Sequence, residues 1–119
     1  MPRKAVAHKQ EYEVAEGPIR LTVVVGDRQY GSSMVFLDQE LITNGDIDEL
    51  PLGTGAELAG RTATVYTLVT DIREKKNEMS VTWILTGGRK KLIAEKTGAA
   101  TKRSGSQMFK AELHFTTAE

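Results

Sequence analysis

The sequence contains no cysteine. That absence excludes a disulfide framework, a thiol nucleophile and any cysteine-ligated zinc or iron–sulfur site, and it suits a reducing compartment. Histidine is almost as scarce. Only His8 and His114 occur, and no H-x-H or H-E-x-x-H spacing is present to hold a metal. Long apolar runs are missing as well: none approaches the ~20 residues of a membrane-spanning helix. The opening MPRKAVAHKQEYEV has a basic tip but no apolar stretch behind it, so it does not read as a secretory signal. These absences together predict a soluble, cytoplasmic protein with no membrane partner. Net charge is lacking too, with 16 Lys+Arg against 16 Asp+Glu. A dedicated nucleic-acid binder normally carries a strongly basic footprint, so nucleic acid is disfavoured as a partner.

The zero total hides an asymmetry. Residues 1–60 hold five Lys/Arg and ten Asp/Glu, a net of −5, and residues 61–119 hold eleven and six, a net of +5. Most of the basic excess lies in 89–103, where Arg89, Lys90, Lys91, Lys96, Lys102 and Arg103 face only Glu95. Opposite-signed halves can attract each other across a fold or give a bipolar surface.

What the chain does have is alternation with a period of two, the mark of strands. In MSVTWILT (79–86), Met79, Val81, Trp83 and Leu85 alternate with Ser80, Thr82, Ile84 and Thr86, as on a strand with one side against a core. In RTATVYTLVTDI (61–72), Ala63, Val65 and Val69 share one face while Tyr66, Leu68 and Ile72 take the other. A strand apolar on both faces belongs in the middle of a sheet, and its threonines favour extended backbone. The polar link REKKNE (73–78) makes these two runs read as a long antiparallel hairpin. Further strands are expected over 11–16, 19–25, 32–42, 90–96 and 107–117, with Phe109, Ala111, Leu113 and Phe115 inward and His114 outward. AELAG (56–60) has room for one helical turn at most, being surrounded by Gly53, Gly55 and Gly60. About seven short strands without a real helix predict an all-β protein, an antiparallel β-sandwich immunoglobulin-like in general character. A flexible N-terminus over 1–10 would precede a single domain over 11–119. The longest irregular stretch, 43–60, is long for a connection in a compact domain, which marks it as functional or mobile.

The candidate sites follow from this frame. LTGGRKKL (85–92) pairs two glycines with three cations. A phosphate-binding loop needs G-x-x-x-x-G-K-[ST] leading into a helix. Here a strand follows, so Gly87-Gly88 reads as a two-residue hairpin turn between 79–86 and 89–96. Arg89, Lys90, Lys91, Lys102 and Arg103 could still form a cationic surface for a phosphate-bearing or nucleic-acid ligand, although alternation splits Arg89 and Lys91 from Lys90. In TNGDIDEL (43–50), Asp46, Asp48 and Glu49 offer oxygen donors, but the glycine precedes them, against the calcium-loop pattern. Ile47, Leu50 and Leu52 mix apolar surface into that acidic loop and suit a docked partner, or else cap one end of the sandwich. No G-x-S-x-G elbow occurs, and Trp83 sits on the apolar face of its strand, where it reads as core rather than as a stacking platform. The sequence therefore calls for no cofactor, metal or catalytic residue. It predicts a non-enzymatic binding module for protein–protein interaction or assembly, with another protein or a second copy of itself as partner. Anion binding through 89–103 is the alternative, and an enzyme with an unrecognised carboxylate or histidine site the second.

Overall fold

The strand that is apolar on both faces sits in the middle, as its pattern requires. In the computed structural model, which describes residues 6–26, 29–71, 78–99 and 106–117, this strand is β6 (Thr62–Asp71). The others are β1 (Val6–Glu13), β2 (Pro18–Val25), β3 (Gln29–Leu37), β4 (Glu40–Gly45), β5 (Leu50–Thr54), β7 (Glu78–Thr86), β8 (Leu92–Ala99) and β9 (Ser106–Thr116). A five-stranded sheet runs β1-β9-β6-β3-β4 and a four-stranded sheet runs β5-β2-β7-β8. The two pack face to face as a β-sandwich.

The core is the set of inward positions that alternation demands. From the first sheet come Val35, Ala63, Val65, Val69, Phe109, Ala111, Leu113 and Phe115. From the second come Ile19, Leu21, Met79, Val81, Trp83 and Leu85. Burying each of the larger side chains contributes about 1.5–3 kcal/mol. Ser33, Thr67 and Gln107 are the buried polar exceptions among the described residues; the hydroxyls of Ser33 and Thr67, on adjacent strands, lie 2.8 Å apart and satisfy each other inside the core.

Four features depart from the sequence expectations. The described residues form nine strands, not seven. The run 32–42 is two strands, because Asp38 turns at φ 56. Its carboxylate accepts from Arg61 Nε (2.9 Å) and from the Thr62 backbone N–H (3.1 Å), which pins that turn. The runs 61–72 and 79–86 do not form a hairpin: β6 and β7 belong to opposite sheets. Both sides of β6 are already taken by β3 and β9, so the inward face of β7 packs against that of β6 across the core. Finally, 43–60 is not irregular. It holds the end of β4, all of β5 and a one-turn helix, α1 (Gly55–Leu58). Thr54 caps α1 in a reciprocal box with Glu57, which satisfies two end donors at once.

The strand expected over 11–16 begins earlier, at Val6, and ends at Glu13. Residues 6–10 belong to β1, which pairs parallel with β9, Val6 opposite Phe109 and Glu13 opposite Thr116. Its inward positions before Tyr12 include His8 and Gln10, so the hydrophobic pattern of this first half is too weak to betray a strand. His8 stacks on Trp83, ring centroids 5.9 Å apart and planes within 7°.

Candidate interaction surface

The turn in LTGGRKKL is longer and more constrained than a two-residue hairpin. Leu85 pairs with Leu92, leaving six residues between. Gly87 has φ +97, and a Cβ there would collide with the carbonyl oxygen of Pro18. At Gly88 a Cβ would lie 2.6 Å from the Tyr12 ring. Both glycines are therefore needed so that the loop can close on the end of β1. There, Gly88 N–H donates to the Tyr12 hydroxyl (2.9 Å), Arg89 N–H donates to the Glu13 carbonyl (3.0 Å), and the Arg89 side chain pairs with Glu13 at 3.3 Å. Burial pushes the Tyr12 phenol upward from its ordinary value, with the Gly88 hydrogen bond pulling the other way.

Among the described residues the cations of this segment do not gather into one patch. Arg89, Lys90 and Lys91 border a groove of about 670 Å³ together with Gln10, Glu11, Tyr12, Glu13 and Leu92, so two carboxylates share it. Lys96 lies farther along β8, on the Ala94 side of the strand. Lys102 and Arg103 fall outside the described residues. Of the described cations Arg89 borders the 43–60 segment, sharing a pocket with Gly55 and Ala56, whereas Lys96 lies on β8, at the opposite edge of its sheet from β5. Ile47 is 4% exposed and Leu52 9%, both part of the core, and Leu50 packs partly buried against it. These three side chains seal the sandwich. The segment is held by Val23 N–H on the Ile47 carbonyl (3.0 Å) and by Glu49 N–H on the Thr22 hydroxyl (2.9 Å). Among the described residues no group of three or more His, Asp or Glu is placed to hold a metal.

The larger group of exposed apolar side chains lies elsewhere, on the five-stranded sheet. Register places Met34 beside Tyr66 and Asn44, Phe36 beside Leu41 and Thr64, and Leu68 beside Ser32 and Met108. Tyr30 (67%), Leu41 (46%), Leu68 (44%) and Met34 (40%) are exposed, and Phe36, Tyr66 and Met108 lie half-buried among them. Phe36 and Tyr66 meet edge to face at 5.9 Å. A shallow recess at one end is lined by Phe36, Asp38, Gln39, Thr64 and Tyr66.

The other half of that sheet's outer face, on β9 and β1, is ionic. Glu112 lies 3.0 Å from Lys110, 3.9 Å from Lys9 and 3.9 Å from His114 Nε2. The hydrogen bond from Lys110 holds the Glu112 carboxyl below its ordinary range, and Glu112 in turn raises Lys110. His114 Nδ1 is 2.8 Å from the Thr62 hydroxyl, and Lys110 Nζ lies 5.6 Å from the centre of the Tyr66 ring. The face is thus divided lengthwise, apolar over β6, β3 and β4 and charged over β9 and β1. The second sheet carries a smaller apolar group, with Ile84 opposite Ile93 (60% exposed) and Val24 (47%) on the adjoining strand. Its outer face is mostly hydroxyl-bearing (Thr22, Ser80, Thr82, Thr86), with Val24, Ile84 and Ile93 interspersed. The signal for the apolar half was present in sequence as Tyr66 and Leu68, on the second apolar side of 61–72.

No protein-family model matches the chain, and neither the curated proteins nor the solved structures give a match.

Proposed function

We propose that this protein is a non-enzymatic interaction module, working in protein–protein association or assembly, and that it docks through the apolar half of its five-stranded sheet. The observation that carries this reading is the cluster of Tyr30, Met34, Leu41 and Leu68, all exposed on neighbouring strands of one face. Scattered single apolar residues are ordinary on a protein surface, whereas a contiguous patch bordered by charge is typical of a docking site. The ionic half beside it supplies the polar rim that would orient a partner. Half-buried aromatic and methionine side chains are the residue types that anchor such contacts.

Anion binding through 89–103 has less support, because Arg89 is committed to Glu13 and Glu11 lines the same groove. The test of the main reading is affinity capture, followed by reconstitution with the purified partner. Leu68→Lys and Met34→Lys should each weaken that complex at least about tenfold, equivalent to ~1.4 kcal/mol, while Val24→Lys on the second sheet binds as the parent does. Equal affinity for all three variants would sink the reading.

A further inference from the structure

We infer that β4 is a self-pairing edge, joining two copies of this chain through their five-stranded sheets into one continuous ten-stranded sheet. The inference rests on the interaction reading above and names the first partner as a second copy.

The sandwich has four edge strands, and three are protected in ways that discourage pairing. β1 carries exposed Lys9, Glu11 and Glu13. β5 has five residues, with Pro51 inside it and Gly53 at φ +145. β8 follows Arg89, Lys90 and Lys91 and carries Glu95 and Lys96. β4, with the sequence ELITNG, has no lysine, arginine or proline, and its sole charge is Glu40 at the first position. Leu41 is 46% and Ile42 39% exposed, neighbours on that edge, and the bulge opposite Val35–Phe36 is the one blunting feature the strand carries. An edge without Lys, Arg or Pro that bears two exposed aliphatic residues is a template for another strand.

Charge favours a second copy and separates two neighbouring registers. A two-fold axis normal to the sheet pairs a strand antiparallel with itself, so that one residue faces its own counterpart. Centred on Ile42, the pairing sets Ile42 against Ile42, Leu41 against Thr43 and Glu40 against Asn44. No like charges meet, and each Glu40 gains an amide. Centred on Thr43, it would bring Glu40 opposite Asp46, a like-charge contact that is destabilising. The Ile42 register also continues the apolar half of the face. Leu41, Phe36 and Met34 of one copy run up to the same residues of the other, so the dimer carries one apolar strip twice as wide.

The absence of cysteine makes the geometry directly testable. Residues directly opposite in an antiparallel pair have Cα atoms about 4.5–5.5 Å apart, within disulfide range. Ile42→Cys should give a covalent dimer under mild oxidation, and Thr97→Cys, on the β8 edge, should not. In sedimentation velocity the wild-type chain should move from monomer to dimer as concentration rises. Ile42→Lys should stay monomeric with an unchanged circular dichroism spectrum. A wild-type monomer at every concentration, a dimer that survives Ile42→Lys, or cross-linking no greater for Ile42→Cys than for Thr97→Cys would each overturn the inference. The two readings fail separately. A monomer whose purified partner is still lost with Leu68→Lys overturns the β4 dimer alone, and a β4 dimer with no partner sensitive to Leu68→Lys overturns the docking face alone.

Discussion

Tyr12 shows how much one side chain can fasten. Its hydroxyl accepts from Gly88 N–H at 2.9 Å and donates to the Leu85 carbonyl at 3.4 Å, and its ring packs edge to face with Phe115. Tyr12→Phe keeps the ring but leaves the Gly88 N–H without its acceptor. We expect a loss of about 1–2 kcal/mol in urea denaturation, and an unchanged midpoint would refute the assignment. The surface carboxylates act through protons. Asp38 is held below its ordinary 3.8, first by the Arg61 hydrogen bond and then by Thr62 N–H. Glu57, bonded by Thr54, and Glu112, bonded by Lys110, are held below their ordinary 4.5. A carboxyl whose folded pKa is depressed adds stability above its unfolded pKa and loses it as pH falls through the folded one. Stability should therefore be flat at neutral pH and decline below about pH 4.5. Asp38→Asn, which tolerates the positive φ, should make that acid limb shallower in a pH series of thermal melts. An identical limb would rule out a contribution from Asp38.

The β7–β8 connection works as an element through backbone shape rather than charge. Gly87→Ala must place a Cβ at φ +97 and against the Pro18 carbonyl, so it should cost at least ~1–2 kcal/mol. Gly17→Ala is the matched control, since a Cβ there meets nothing within 4 Å. It should be neutral or stabilising by up to ~1 kcal/mol through the unfolded chain. Chemical denaturation of the two variants side by side reads the difference, and equal stabilities would remove the special role given to Gly87. The phosphate-cradle and basic-patch readings of this loop recede for a structural reason. Its N–H groups at Gly88 and Arg89 are spent on Tyr12 and Glu13. The far end of β8 is roughly 23 Å away by strand rise.

For the molecule as a whole, topology sets the folding rate. β1 pairs with β9, Val6 opposite Phe109, and β2 pairs with β7, Val23 opposite Trp83. Such non-local pairing requires large loops to close before it is rewarded, so refolding should take milliseconds to seconds. Stopped-flow tryptophan fluorescence can follow it, since Trp83 is the only tryptophan and lies in the core. Completion within ~100 μs would contradict the sheet order. At this scale the two sheets also differ in role. The four-stranded sheet shows solvent a face rich in hydroxyls with a few aliphatic residues, whereas the five-stranded sheet carries both the divided face and the β4 edge, which has no Lys, Arg or Pro.

Alternation in the sequence determined the fold class and the identity of most core residues. Burial on one strand face requires a period of two, and the inward sets on β6, β7 and β9 follow it. The sequence also determined that β6 would be central, because only an interior strand tolerates apolar residues on both sides. Sheet membership was decided by tertiary structure. A polar link such as 73–78 suits a hairpin or a crossing equally, and only the pairing of β6 with β3 and β9 sends β7 to the other layer. The same holds for β1, whose half-buried His8 and Gln10 carry no hydrophobic signal and which gains its place from a parallel ladder with the last strand. Ile47, Leu50 and Leu52 looked like an apolar loop because their partners on β2 lie more than twenty residues away. The apolar half-face is likewise a product of register: Met34, Phe36, Leu41 and Leu68 become neighbours only when β4, β3 and β6 align.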